Sequence, residues 1–129
     1  MQRRNLLPLG LLPVVAACAP RIAPIHRGSG YFTGTASLTR RSDEIKRAAA
    51  RRGWIMTEQA PGWLRGTLNL RTHQAVVDVR FDTERFTITY VSSQDLNYEQ
   101  GYIHPNYNQW IRYLEQDIAL EAQRTSGLD

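Results

Sequence analysis

Residues 63–81 read WLRGTLNLRTHQAVVDVRF, and apolar and polar side chains alternate along both halves of the stretch. In the first half Leu64, Gly66, Leu68 and Leu70 alternate with Arg65, Thr67, Asn69 and Arg71. In the second, Ala75, Val77, Val79 and Phe81 alternate with Val76, Asp78 and Arg80. Successive side chains on a strand point to opposite faces, so this period of two with one wet side predicts antiparallel, half-buried strands. THQ is the hairpin connection, and Asp78 falls where it can pair with the arginines of the preceding strand.

Working outward, WIMTEQ at 54–59 leads through APG into the same hairpin system, with Pro and Gly supplying a tight turn. After DTER, the stretch FTITYV at 86–91 sets Phe86, Ile88 and Tyr90 inward and Thr87 and Thr89 outward. Helices flank these four strands. SDEIKRAAARR at 42–52 has Ser42 as an N-cap, acids in the first turn, arginines in the last and Gly53 as a stop. Its narrow stripe is Ile45, Ala48 and Ala49. PNYNQWIRYLEQDIALEAQ at 105–123 opens with Pro105 and repeats Tyr107, Trp110, Ile111, Leu114 and Ile118 at spacings of three and four. The expected fold is α+β in the order α-β-β-β-β-α: a four-stranded antiparallel meander with an N-terminal and a C-terminal helix packed on one face.

The 129 residues suffice for one small domain, and a hydrophobic fraction of 42% with three tryptophans is globular. The formal charge of +4 falls by two if Arg3 and Arg4 are removed, too little to argue for nucleic-acid binding. Residues 1–17 read as a processing segment: a charged start, an apolar run from Leu6 to Val15, then Ala16 and Ala17. That layout is a signal peptide, too short for a membrane-spanning helix of roughly 20 apolar residues. Its paired arginines loosely resemble a twin-arginine export signal and equally suit a Sec-type one. Cys18 is the only cysteine, so it has no internal disulfide partner. Residues 18–37, rich in Pro, Gly, Ser and Thr, read as a flexible tether of root-mean-square span roughly 25 Å, followed by a domain over 38–129.

Val15-Ala16-Ala17-Cys18 resembles the lipobox of bacterial lipoproteins. That resemblance implies cleavage before Cys18, a diacylglyceryl group on its thiol and acylation of the new amino terminus. Ala19 in place of the aspartate that resembles an inner-membrane retention signal implies an outer membrane location, facing the periplasm. RGWIMTEQAPGWLRGTLNLRTHQAVVDVRF, FTITYVSSQDLNY and IHPNYNQWIRYLEQDI together resemble a group of small uncharacterised proteobacterial lipoproteins, which implies an envelope lipoprotein and brings no activity with it.

Asp95, Asn97, Tyr98, Tyr102, His104, Asn106, Tyr107 and Asn108 form the densest run of hydrogen-bonding and aromatic groups. Such a mixture suits a sugar or peptide ligand, with peptidoglycan or an envelope protein as the local partner. The same groups would also pin a loop and cap a helix. An enzyme needs a nucleophile and base or paired acids. Asp95 with His104 is the pair to nominate for a small hydrolase or lyase, and no nucleophile stands beside it. His26, His73 and His104 are scattered without metal-ligand spacing, so neither a metal nor a cofactor is expected.

The stretch 40–52 carries six basic and two acidic residues, and Arg40, Arg41, Lys46, Arg47 and Arg51 are candidates for lipid headgroup contact. Salt pairing along the helix is the alternative. Trp54 and Trp110 are expected in the core. Trp63 shares the parity of Arg65 and Thr67 and is expected on the wet face, as a contact residue. The sequence as a whole reads as a lipid-anchored, non-enzymatic binding or scaffolding module of the cell envelope.

Overall fold

The computed structural model describes residues 21–128. The elements are β1 (Ala23–Pro24), β2 (Gly28–Tyr31), α1 (Leu38–Ala50), β3 (Trp54–Ala60), β4 (Trp63–Leu70), β5 (His73–Phe81), β6 (Arg85–Gln94), β7 (Tyr102–Ile103) and α2 (Pro105–Ser126). The class is α+β, and the expected meander is present as β3-β4-β5-β6. The signal peptide expected over 1–17, and Cys18, lie outside the described residues.

The sheet has five strands, in the order β2-β6-β5-β4-β3, and not four. The added strand, β2, comes from the stretch read as tether, so the expected 18–37 boundary is corrected: chain order begins by Ala23, well before residue 38. Its composition misled because the glycines are there for packing. A Cβ on Gly28 would come within 2.8 Å of Ile111 Cγ2, and one on Gly30 within 2.4 Å of Phe86 Cζ. Glycine lets the strand lie directly on those side chains, at the cost of any alternating pattern. Outside this sheet β1 pairs antiparallel with β7 in a two-stranded ribbon.

Three boundaries also move. α1 starts at Leu38, with Ser37 Oγ accepting from Arg40 N at 3.1 Å, so the cap is Ser37 and Ser42 sits buried inside the helix. β6 runs through Ser92 and Ser93 to Gln94, past a bulge opposite Val76 and Val77. α2 continues to Ser126. At the β3–β4 turn Pro61 precedes Gly62, whose φ is +79° and whose Cβ would stand 2.7 Å from Phe81 O. Only glycine serves there.

Leu64, Leu68, Ala75, Val77, Val79, Phe86 and Ile88 from the strands and Ile45, Ala48, Ala49, Tyr107, Ile111, Leu114, Ile118 and Ala122 from the helices form one buried cluster. Trp54 belongs to it at 3% exposure, while Trp110 only packs against its margin. Leu70, at 45% exposure, lies beyond the end of the inward row. Residues on the opposite parity of the strands stay partly exposed, so the other sheet face is wet.

Candidate functional site

The wet face is built by register. Trp63 lies opposite Arg80, Arg65 opposite Asp78, and Thr67 opposite Val76. On the far side Thr87 faces Arg80 and Thr89 faces Asp78. Arg65 and Asp78 make the expected cross-strand pair, with Nε donating to Oδ1 at 2.9 Å and Nη2 to Oδ2 at 3.2 Å. Burial pushes the Asp78 carboxyl up, but the donors and positive charges around it, Arg65 first, together outweigh it and hold the group below its ordinary range.

Trp63 has two guanidiniums against its ring. Arg80 Cζ lies 4.1 Å from its ring centroid and Arg65 Cζ lies 5.6 Å away. Cation–π attraction favours this stacking and holds the ring in a fixed setting. Arg80 makes no ion pair among the described residues, so its charge remains available to a ligand. Towards the sheet edges, Tyr31 at 71% exposure has Arg85 Cζ 5.7 Å from its ring, and Ile55 is 64% exposed. An aromatic ring beside the Arg80 guanidinium, which has no ion-pair partner among the described residues, can attract carboxylates or phosphates.

The expected loop cluster does not converge. Asp95 turns to the β4–β5 connection, where it accepts from Thr72 Oγ1 at 2.5 Å and lies 3.5 Å from His73 Nδ1. His104 caps α2, its Nδ1 accepting from Asn106 N at 3.1 Å. Asp95 and His104 make no hydrogen bond to each other, so the nominated acid–base pair is not assembled. Asn108 is buried and serves the chain itself: Oδ1 accepts from His26 N at 2.8 Å and Nδ2 donates to Pro24 O at 2.9 Å. Tyr107 is fully buried, with its hydroxyl unpartnered. Burial, then the neighbouring Tyr90, pushes that hydroxyl above the ordinary tyrosine range. These two residues are therefore corrected from ligand groups to core groups. Asn97, Asn106, Tyr98 and Tyr102 remain exposed, with Tyr98 stacked on Tyr90 at 4.4 Å between centroids.

The basic reading of α1 also changes. Arg41 is 1% exposed, bound to Glu44 and to the carbonyls of Thr33, Gly34 and Thr83, and cannot meet a lipid headgroup. Arg47 and Arg51 converge with Arg124 on the buried Glu121 of α2. Arg40 donates to Thr125 O at 2.7 Å. Lys46 is exposed. The arginines expected to face lipid thus join the two helices, because helix α2 presents a buried carboxylate that sequence spacing within α1 does not reveal.

Sequence reasoning missed a cleft of about 240 Å³ lined by Arg52, Trp54, Leu68, Leu70, Trp110 and Tyr113. Its one sequence signal was Trp110 and Tyr113 three positions apart on α2, both half-buried. Arg52 closes one wall, stacking 4.5 Å from the Tyr113 ring centroid and bonding Asp117 at 2.7 Å. Among the described residues no group of three metal-ligating side chains assembles, and no helix is long and apolar enough to cross a membrane. Comparison with protein-family models, with curated proteins and with solved structures finds no match to this chain.

Proposed function

We propose that the chain is a lipid-anchored cell-envelope protein, held through Cys18, whose domain binds an envelope protein or cell-wall component through the wet face of its sheet. The observation that carries the reading is Trp63 with the guanidiniums of Arg65 and Arg80 against its ring, on a sheet face that no helix covers. A half-buried tryptophan with guanidiniums against its ring on an uncovered face has the composition of a binding hot spot, where Trp and Arg are enriched. The reading is non-enzymatic: Asp95 and His104 each spend their polar atoms elsewhere. The acidic or glycan-bearing partner is inferred from the unpaired Arg80 beside an aromatic ring.

A photoreactive residue at position 63, activated in intact cells, tests this. The expected result is a discrete crosslinked species that disappears in an Arg80→Glu variant that still fractionates with the membrane. A crosslinking pattern unchanged by Arg80→Glu, or no species above that from position 84 on the β5–β6 turn, rejects the sheet face as the site. Cys18→Ser tests the anchor separately, and is expected to move the protein into the soluble fraction.

A further inference from the structure

The ribbon of β1 and β7 alters what an anchor at Cys18 would do. Ala23 pairs with Ile103 and Pro24 with Tyr102, and Ile25 N donates to Gly101 O at 2.9 Å. Ile103 is fully buried, so the ribbon has an inner and an outer side. Paired residues share a side and neighbours alternate, which sets Ile22, Pro24 and Tyr102 together on the outer one. All three are exposed, Ile22 at 42% and Tyr102 at 47%.

The ribbon continues into a stiff turn. Gln100 and Gly101 are consecutive left-handed residues with φ of 47° and 86°. Around them Glu99 and Tyr102 exchange backbone hydrogen bonds of 2.9 and 3.0 Å. Next to this turn Tyr98 rests one ring face on Tyr90 and leaves 47% of the residue exposed. Ile22, Pro24 and Tyr102 are therefore a small apolar and aromatic rim whose backbone is paired before anything binds, so docking would order little that is not already ordered.

Cys18 stands four residues before Ile22. At no more than about 3.6 Å per residue, its Cα lies within about 14 Å of that of Ile22. A tether of twenty residues would let the domain wander; four residues do not. We propose that this rim rests in the headgroup layer of the phospholipid bilayer that holds the chain. The proposal depends on acylation of Cys18. Tyrosine suits that depth, its ring lying among glycerol and upper acyl groups and its hydroxyl in water. The exposed charges at the rim are Arg21 beside Ile22 and Glu99 paired with Tyr102, opposite in sign, so the contact depends on the aromatic and apolar groups and not on anionic lipid.

The test uses the full acylated chain in vesicles of phosphatidylethanolamine and phosphatidylglycerol. Because acylation caps the Cys18 thiol, a nitroxide label attaches only at an added cysteine, placed in separate proteins by Tyr102→Cys and by Glu84→Cys. Glu84 is exposed at the opposite end of β6 from the ribbon. The expected result is that the label at 102 is several-fold less accessible than that at 84 to a water-soluble relaxation agent and several-fold more accessible to oxygen. Equal accessibility at the two positions in vesicle-bound protein overturns the docking while leaving the anchor intact. Protein that carries no lipid and stays with the aqueous phase overturns the anchor itself. Protection at 102 that persists in unlipidated Cys18→Ser chain without vesicles assigns the rim to a second copy of the chain and also overturns it.

Discussion

Tyr107 shows at the scale of one residue how burial sets chemistry. Its ring packs edge-on against Tyr90 at 5.8 Å, and its hydroxyl has no hydrogen-bond partner. An unpaired buried hydroxyl costs about 1–3 kcal/mol, so Tyr107→Phe is expected to raise stability by about 1 kcal/mol, read as a higher urea midpoint at unchanged slope. The raised ionisation of this group has a fixed sign. The folded state holds the neutral form, so its contribution is complete below the ordinary tyrosine value of 10.0 and is lost as pH rises beyond it. Tyr107→Phe should flatten that alkaline loss. Asp78 works in the opposite range. Its carboxyl sits below the ordinary 3.8, so its contribution is complete above that value and is lost as pH falls through the lower, folded one. Asp78→Asn is expected to remove this part of the acid limb in a pH series of thermal melts, while lowering stability at neutral pH by under about 1 kcal/mol, as befits a partly exposed pair.

Between elements, charge is used as an internal joint. Arg41 and Glu44 are 1% and 0% exposed, and Thr125 Oγ1 donates to Glu44 from the end of α2. Removing one ion alone strands the other, so Arg41→Ala is expected to cost about 3–5 kcal/mol. Arg41→Met together with Glu44→Leu should cost much less, because the carbonyls released belong to the exposed Thr33, Gly34 and Thr83 and can turn to water. Chemical denaturation of the single and double variants should show the double variant losing far less than the sum of the two single losses. Additive losses would reject the joint. The cluster around Glu121 differs in kind, since the Arg47, Arg51 and Arg124 side chains are exposed and can solvate if the carboxylate is lost. None of this was legible in RRSDEIKRAAARR, where the acids two and three positions before Lys46 and Arg47 looked like surface partners.

Over the whole molecule, the segment before α1 belongs to the fold. Asn108 ties Pro24 and His26 to α2, Gly28 lies on Ile88 and Ile111, and β2 covers the edge of β6. A chain beginning at residue 21 is therefore expected to fold cooperatively, whereas one beginning at 38 uncovers that edge and part of the core and should lose its cooperative melt by circular dichroism. A 38–129 chain that melts like the longer one would show the segment to be dispensable. By itself the sequence determined the strands of the meander, the two helices, the buried parity of each and the place of Trp63 on the wet face, because alternation and helical spacing are local and leave a periodic record. Only the tertiary structure decided that Gly28 and Gly30 make a strand, that α1's arginines serve α2, that Asp95 and His104 part company, and that Pro24 pairs with Tyr102. Each of those depends on a partner 50 or more residues away, or on a side chain that is absent, or on a turn that directs neighbours apart, and no local period records such facts.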